Sequence, residues 1–210
     1  MNTPWLNLAH WLDCTEVEGP GRRFVLWVQG CHIRCPGCCN PHMLAFVPRH
    51  LVPAPQVVEW ILEAHRRWHL EGVTFLGGEP MLQARGLALV ATESRRAGLS
   101  VMVFTGFTIE FLRNSSLPGV EELLAATDLL VDGPYLAHHP ETKRHWVGST
   151  NQRFHFLTDR YQPGIEYDPR YTRGLELRIR SDGTAIYNGW PGELLTGDET
   201  EASRNPIRRA

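Results

Sequence analysis

Along the chain, short and nearly unbroken apolar runs alternate with longer segments in which apolar residues recur every three or four positions. "FVLWVQ" (24–29), "VTFL" (73–76), "SVMVFT" (100–105) and "DLLVDG" (128–133) are of the first kind, and each predicts a buried strand. Residues 54–70 are of the second kind. Val57, Val58, Ile61, Leu62, His65 and Trp68 share one helical face, while Glu63, Arg66 and Arg67 face outward. Gly72 is the expected stop. A second helix is expected over about 82–97, closed by Gly98, with shorter ones near 108–113 and 119–126. Strands and helices alternating at this spacing predict an α/β fold, a parallel sheet with crossover helices. The loops after strand C-termini carry the chemistry in such folds. Here they hold the cysteines of "GCHIRCPGCCNP" (30–41), "GGEP" (77–80), Thr105-Gly106 and Asp132-Gly133-Pro134.

After about residue 134 the alternation weakens. A long polar connection leads to a strand at 154–157, and "LELRIRSDGTAIY" (175–187) alternates apolar and polar residues around Asp182-Gly183, a hairpin signal. The proline-containing stretch 48–55 reads as a local connection. From Gly192 onward the chain is charged and aperiodic, which predicts disorder over 192–210. The expectation is one domain over 1–191, with a core at about 5–157 and a C-terminal extension at 158–191.

Composition changes this picture little. Apolar residues at 42% and charged ones at 21% are ordinary for a globular chain. A formal charge of −2 offers no basic field for nucleic acid or a membrane surface. No run approaches the roughly 20 apolar residues of a membrane span, and "MNTPWLNLAHWLDC" lacks the features of a signal peptide. The expected compartment is the cytoplasm, where thiols stay reduced.

The candidate chemistry lies in the cysteines. Five is an odd number, and Cys31, Cys35 and Cys38 lie too close together for a useful disulfide framework, so metal is the better reading. Zinc would need a fourth ligand from Cys39, Cys14, His32 or His42. An iron–sulfur cluster on three thiolates would leave one iron open. Spacing alone leaves both readings standing.

The flanks add a resemblance. "EGPGRRFVLWVQGCHIRCPGCCNP" (18–41), "GGEP", "LVDGPY" (130–135) and "GSTNQR" (148–153) resemble, in order, the motifs of radical S-adenosylmethionine (SAM) enzymes. Among these the chain is similar to the activating proteins of glycyl radical enzymes, above all those of anaerobic ribonucleotide reductase. The resemblance implies a partial (β/α) barrel with a 4Fe–4S cluster ligated by Cys31, Cys35 and Cys38. SAM would chelate the fourth iron, and an electron from the cluster would cleave it to methionine and a 5′-deoxyadenosyl radical that abstracts hydrogen. Flavodoxin or ferredoxin is the implied electron donor.

Under that resemblance Gly77 and Gly78 would let backbone approach the methionine part of SAM. Glu79 would meet its ammonium group, unless it is a solvated turn glutamate. Thr105 would be a further SAM contact or a hydroxyl-capped turn. Asp132 would hold ribose, ammonium or a substrate backbone, or else cap a turn. Arg22 or Arg23 would reach the SAM carboxylate or a partner, or lie on the surface. Asn151, Gln152 and Arg153 would shape the later part of the barrel mouth or else be structural, and Cys14 reads as structural. Cys39 reads as a partly buried spare thiol.

Three function classes remain on sequence grounds. The first is an activase acting on a glycyl radical enzyme, such as an anaerobic ribonucleoside-triphosphate reductase. The second is a radical SAM enzyme modifying a peptide or small molecule, with the C-terminal hairpin shaping its site. The third is a zinc-stabilised binding module.

Overall fold

The computed structural model describes residues 3–171, 174–179, 182–183, 185–189 and 207–209. Four parallel strands form the centre of the sheet: β2 (Arg23–Val28), β4 (Gly72–Gly77), β5 (Ser100–Phe104) and β6 (Leu129–Asp132), paired in that order. These are the apolar runs identified in the sequence, and almost every residue in them is buried. Three antiparallel strands extend the centre: β1 (Trp5–Thr15) on β2, β3 (His50–Pro53) on β1, and β7 (Arg153–Phe156) on β6. The result is a seven-stranded sheet in the order β3-β1-β2-β4-β5-β6-β7.

Alternating residues of the parallel strands feed two cores, as a sheet covered on both faces requires. Phe24, Leu26, Val28, Phe75, Val101 and Val103 pack against helices α1 (Ala54–Trp68), α2 (Ala84–Arg96) and α4 (Val120–Ala125). The short helix α3 (Ile109–Arg113) adds Ile109 and Leu112 to the same core. On the other face Val25 and Trp27 meet Leu12, Met43 and Ile186, while Met102, Leu129 and Val131 meet Val147 and Tyr161. The second face is therefore covered by loop and extension instead of helix.

α1 ends differently from expectation. His69, in the left-handed conformation at φ 52°, caps it by donating to His65 O. Gly72 instead opens β4, where an added Cβ would fall 2.1 Å from Ser100 Oγ. Arg23 reaches neither the surface nor the cysteine loop. It is wholly buried at the N-terminal end of β2, donating to Thr74 Oγ1 and Val73 O at 2.6 Å each. That is the opposite end of the sheet from the cysteine loop. Arg22 lies on the surface beside Glu16.

In the extension, β8 (Leu175–Ile179) and β9 (Ala185–Gly189) pair antiparallel, and β10 (Ile207–Arg209) runs parallel to β9. The disorder expected over 192–210 falls otherwise on residues outside those described. No helix among the described residues is long and apolar enough to cross a membrane.

Candidate active site

The cysteine loop leaves the C-terminal end of β2 and folds back on itself: Gly30 N donates to Met43 O at 2.8 Å and Cys31 N to Leu44 O at 3.1 Å. Cys31 is buried, Cys35 and Cys38 half-buried and Cys39 exposed. All four line one cavity of about 230 Å³ at the C-terminal ends of β2, β4 and β5. Gly77, Gly78, Glu79 and Thr105 line it as well. The structure thus gathers seven of the eight residues marked in the sequence as metal or cofactor contacts.

The two glycines explain how the turn reaches the loop. Gly78 N donates to Val28 O at 2.7 Å, and Glu79 N to Gly30 O at 2.9 Å. A Cβ on Gly78 would sit 2.4 Å from Gly30 O, and one on Gly77, at φ +111°, 2.6 Å from Val28 N. The backbone that needs this room is the chain's own β2, a close approach that glycine permits.

Glu79 is not a solvated turn residue: 1% of it is exposed. Its carboxylate accepts from Met81 N at 2.9 Å, Thr105 Oγ1 at 2.8 Å and Gly106 N at 2.9 Å. It therefore ties the turn after β4 to the turn after β5. Burial pushes its pKa up to about 7, even though these three hydrogen bonds pull the other way.

Asp132 is the marked residue the structure keeps out of the cavity lining. Fully buried, it accepts from Ile109 N at 2.7 Å and from Arg153 at 3.0 and 2.6 Å. His155 Nε2 lies 3.0 Å away but outside hydrogen-bonding geometry. The carboxylate fastens α3 and β7 to the end of β6. Arg153 continues this network to Glu110, and Asn151 Nδ2 donates to Pro134 O at 2.7 Å.

The free thiols are tuned by their surroundings. The Cys39 side chain, followed by burial, pushes the Cys38 thiol up. Burial raises that of Cys35, against a hydrogen bond from the Tyr135 backbone. Metal binding would deprotonate them. Among the described residues no three His, Cys, Asp or Glu side chains are gathered as around a bound metal ion. Three thiols of one loop lining the same cavity as Glu79 and Thr105 fit the donor set of a cluster with one open iron.

Several wall residues are not among the contacts expected from the sequence, although Glu18, Tyr135 and Gln152 stand in the motifs that carry the resemblance. Glu18, Trp27, Tyr135, Trp146, Gln152, Asn188 and Gly189 also line the cavity. Trp27 looked like strand core, and Asn188 and Gly189 belong to a strand far along the chain. Only the tertiary fold brings them here.

The 4Fe-4S single cluster domain family matches residues 17–155. The chain is 32% identical over 159 residues to the anaerobic ribonucleoside-triphosphate reductase-activating protein of Enterobacteria phage T4, a match covering 73% of this chain and 96% of the phage protein. It is 29% identical to the pyruvate formate-lyase-activating enzyme of Listeria monocytogenes, covering 70% of this chain and 61% of that one. The crystal structure of QueE from Escherichia coli is a slighter likeness, with a TM-score of 0.41 and 14% identity over 50% of this chain and 54% of that one. The family match and the match to the phage protein place the chain in the 4Fe-4S single cluster domain family, and within it among the radical SAM activating proteins typified by those of anaerobic ribonucleoside-triphosphate reductase.

Proposed function

We propose that this protein binds a 4Fe–4S cluster through Cys31, Cys35 and Cys38, binds SAM beside the 77–80 turn, and installs a glycyl radical on an anaerobic ribonucleoside-triphosphate reductase. The observation that carries this reading is the sharing of one cavity by the three thiols, Glu79 and Thr105. When bound, the reduced cluster supplies the electron that cleaves SAM reductively and so opens the way to hydrogen abstraction.

The protein's own groups then have distinct tasks. Glu79, already held by Thr105 and Gly106, presents negative charge to the SAM ammonium. Gly77 and Gly78 hold the turn against β2, so that this carboxylate stands beside the cysteine loop. Asp132 is assigned to the framework, since its oxygens are taken by Ile109 and Arg153. The sheet is read as a partial (β/α) barrel within a single domain, with the β8–β9 hairpin against its inner face. A flavodoxin or ferredoxin of a reducing cytoplasm is the proposed donor of electrons.

The phage relative is named for a reductase, and the Listeria relative for pyruvate formate-lyase. The reductase is preferred because the match to the phage protein covers nearly all of it. The test is anaerobic reconstitution with iron and sulfide, followed by reductant, SAM and a purified anaerobic reductase. An EPR doublet on the reductase supports the assignment. SAM cleavage with no radical on the reductase would send the search to other partners.

A further inference from the structure

Three polar atoms of residues in the cavity wall have no hydrogen-bond partner: Asn40 Oδ1, Trp146 Nε1 and Asn188 Oδ1. Asn188 differs from the others in origin. It lies on β9, beyond the end of the family match at residue 155, and only 2% of it is exposed. Its Nδ2 donates to Thr15 Oγ1 at 2.9 Å, and that hydroxyl donates in turn to Glu176 Oε2. This relay fixes the amide: its nitrogen is committed to Thr15 and its oxygen is left over. Strand β9 is itself anchored, with Gly189 N donating to Glu18 Oε1 at 2.8 Å and Ile186 packed among Leu12, Val25, Trp27 and Met43. A buried acceptor with no donor is destabilising until a donor arrives.

We propose that Asn188 is a specificity-determining residue whose Oδ1 accepts a hydrogen bond from a backbone N–H of the polypeptide that enters the cavity. This rests on the activase reading, in which the second reactant is a protein. Cys31, Cys35, Cys38, Glu79 and Thr105 all lie within the family match. A wall residue outside the match is left for what differs among family members, and that is the partner. A backbone N–H is the donor that every residue except proline carries. The extension thus turns a shared cavity into one suited to a particular loop.

Two variants test this in the full-length, reconstituted protein. Asn188→Leu removes the oxygen at similar size, whereas Asn188→Asp keeps an acceptor there, the Thr15 hydroxyl turning its proton from Glu176 to the new carboxylate. Each is titrated under argon with SAM and, separately, with a purified anaerobic ribonucleoside-triphosphate reductase, and both Kd values are read by calorimetry. The expected result is a Kd for the reductase about tenfold weaker in Asn188→Leu. Asn188→Asp should lie closer to wild type, and SAM binding should follow wild type in both. Wild-type reductase binding in Asn188→Leu overturns the assignment. So does an Asn188→Asp as weak as Asn188→Leu, or a loss that falls on SAM. If Asn188→Leu does not fold, Asn188→Asp carries the test, and reductase binding weakened tenfold in it overturns the assignment. A wild-type protein that binds SAM but neither binds nor activates the reductase overturns the activase reading, and this assignment with it.

Discussion

Thr105 Oγ1 donates to Glu79 Oε1 across 2.8 Å, joining the turn after β4 to the turn after β5 inside the cavity wall. Burial between those turns, opposed by this hydrogen bond and those from Met81 N and Gly106 N, sets the acidity of Glu79. Burial raises its pKa from the usual 4.5 to about 7. Between those values the folded state holds a proton that the unfolded state has lost, so stability falls as pH rises through the window. The stabilisation is complete below pH 4.5 and gone above about pH 7, a change of about 3 kcal/mol. Thermal melts of the cluster-free protein at pH 5 and pH 8 should show a fall in Tm that Glu79→Gln largely removes. SAM affinity should run the opposite way, improving as the carboxylate ionises through about pH 7, and Glu79→Gln should bind weakly at both pH values. Equal pH slopes in wild type and variant would show that Glu79 does not titrate here.

Replacing the cysteines one at a time separates ligands from bystanders. Cys31→Ala, Cys35→Ala and Cys38→Ala should each lose the cluster's visible absorbance and abolish SAM cleavage. Cys14→Ala should retain most of both, because Cys14 lies on β1 and does not line the cavity. Cys39→Ala should also retain them, although it removes the neighbour that raises the Cys38 thiol. Iron content and methionine production are the measurements. Full cleavage by any of the first three would overturn the ligand set.

Periodicity makes the parallel centre of the sheet, the strand at 154–157 and the 175–187 hairpin legible, and misses the antiparallel strands β1 and β3. The four parallel strands announced themselves because burial on both faces demands unbroken apolar runs, and the cysteine and GGEP loops follow directly at their ends. Strand β1 escaped notice because register shifts between Leu8 and His10, and between Leu12 and Thr15, break its alternation. Neither a SAM or partner contact nor a surface charge describes Arg23, since nothing local shows that Thr74, Ser100 and Tyr161 gather around it from far along the chain. Asp132 looked like a site residue because it ends a strand. Its true partner Arg153 is 21 residues away on an antiparallel neighbour.

Gly78 tests how tightly the turn must sit on the loop. A Cβ there would stand 2.4 Å from Gly30 O, a backbone atom that cannot rotate out of the way. Gly78→Ala should therefore push the 77–80 turn away from the cysteine loop and cost about 1–3 kcal/mol, lowering Tm by roughly 2–10 °C. The hydrogen bond from Glu79 N to Gly30 O, 2.9 Å long, would be among the first lost. SAM affinity should fall further than global stability accounts for. Gly98→Ala is the control, because a Cβ there meets nothing within 4 Å and only the strain of φ +86° remains. A Gly78→Ala protein indistinguishable from that control would mean the turn has slack.

Asp132 gives the opposite expectation. Its carboxylate is fully buried, accepts from Ile109 N at 2.7 Å and is met by Arg153 at 2.6 Å. Asp132→Asn keeps the shape but gives up the charge and one acceptor, leaving the Arg153 guanidinium facing an amide. Arg153 is partly solvated and still pairs with Glu110, which softens the loss. The expected cost is about 2–3 kcal/mol, read as a lower Tm and faster hydrogen exchange in α3 and β7. SAM dissociation constants should stay within about twofold of wild type, because no oxygen of Asp132 lines the cavity. A variant of near-normal stability with SAM binding weakened tenfold would return Asp132 to the cofactor site, since a framework residue cannot lose affinity while keeping its fold.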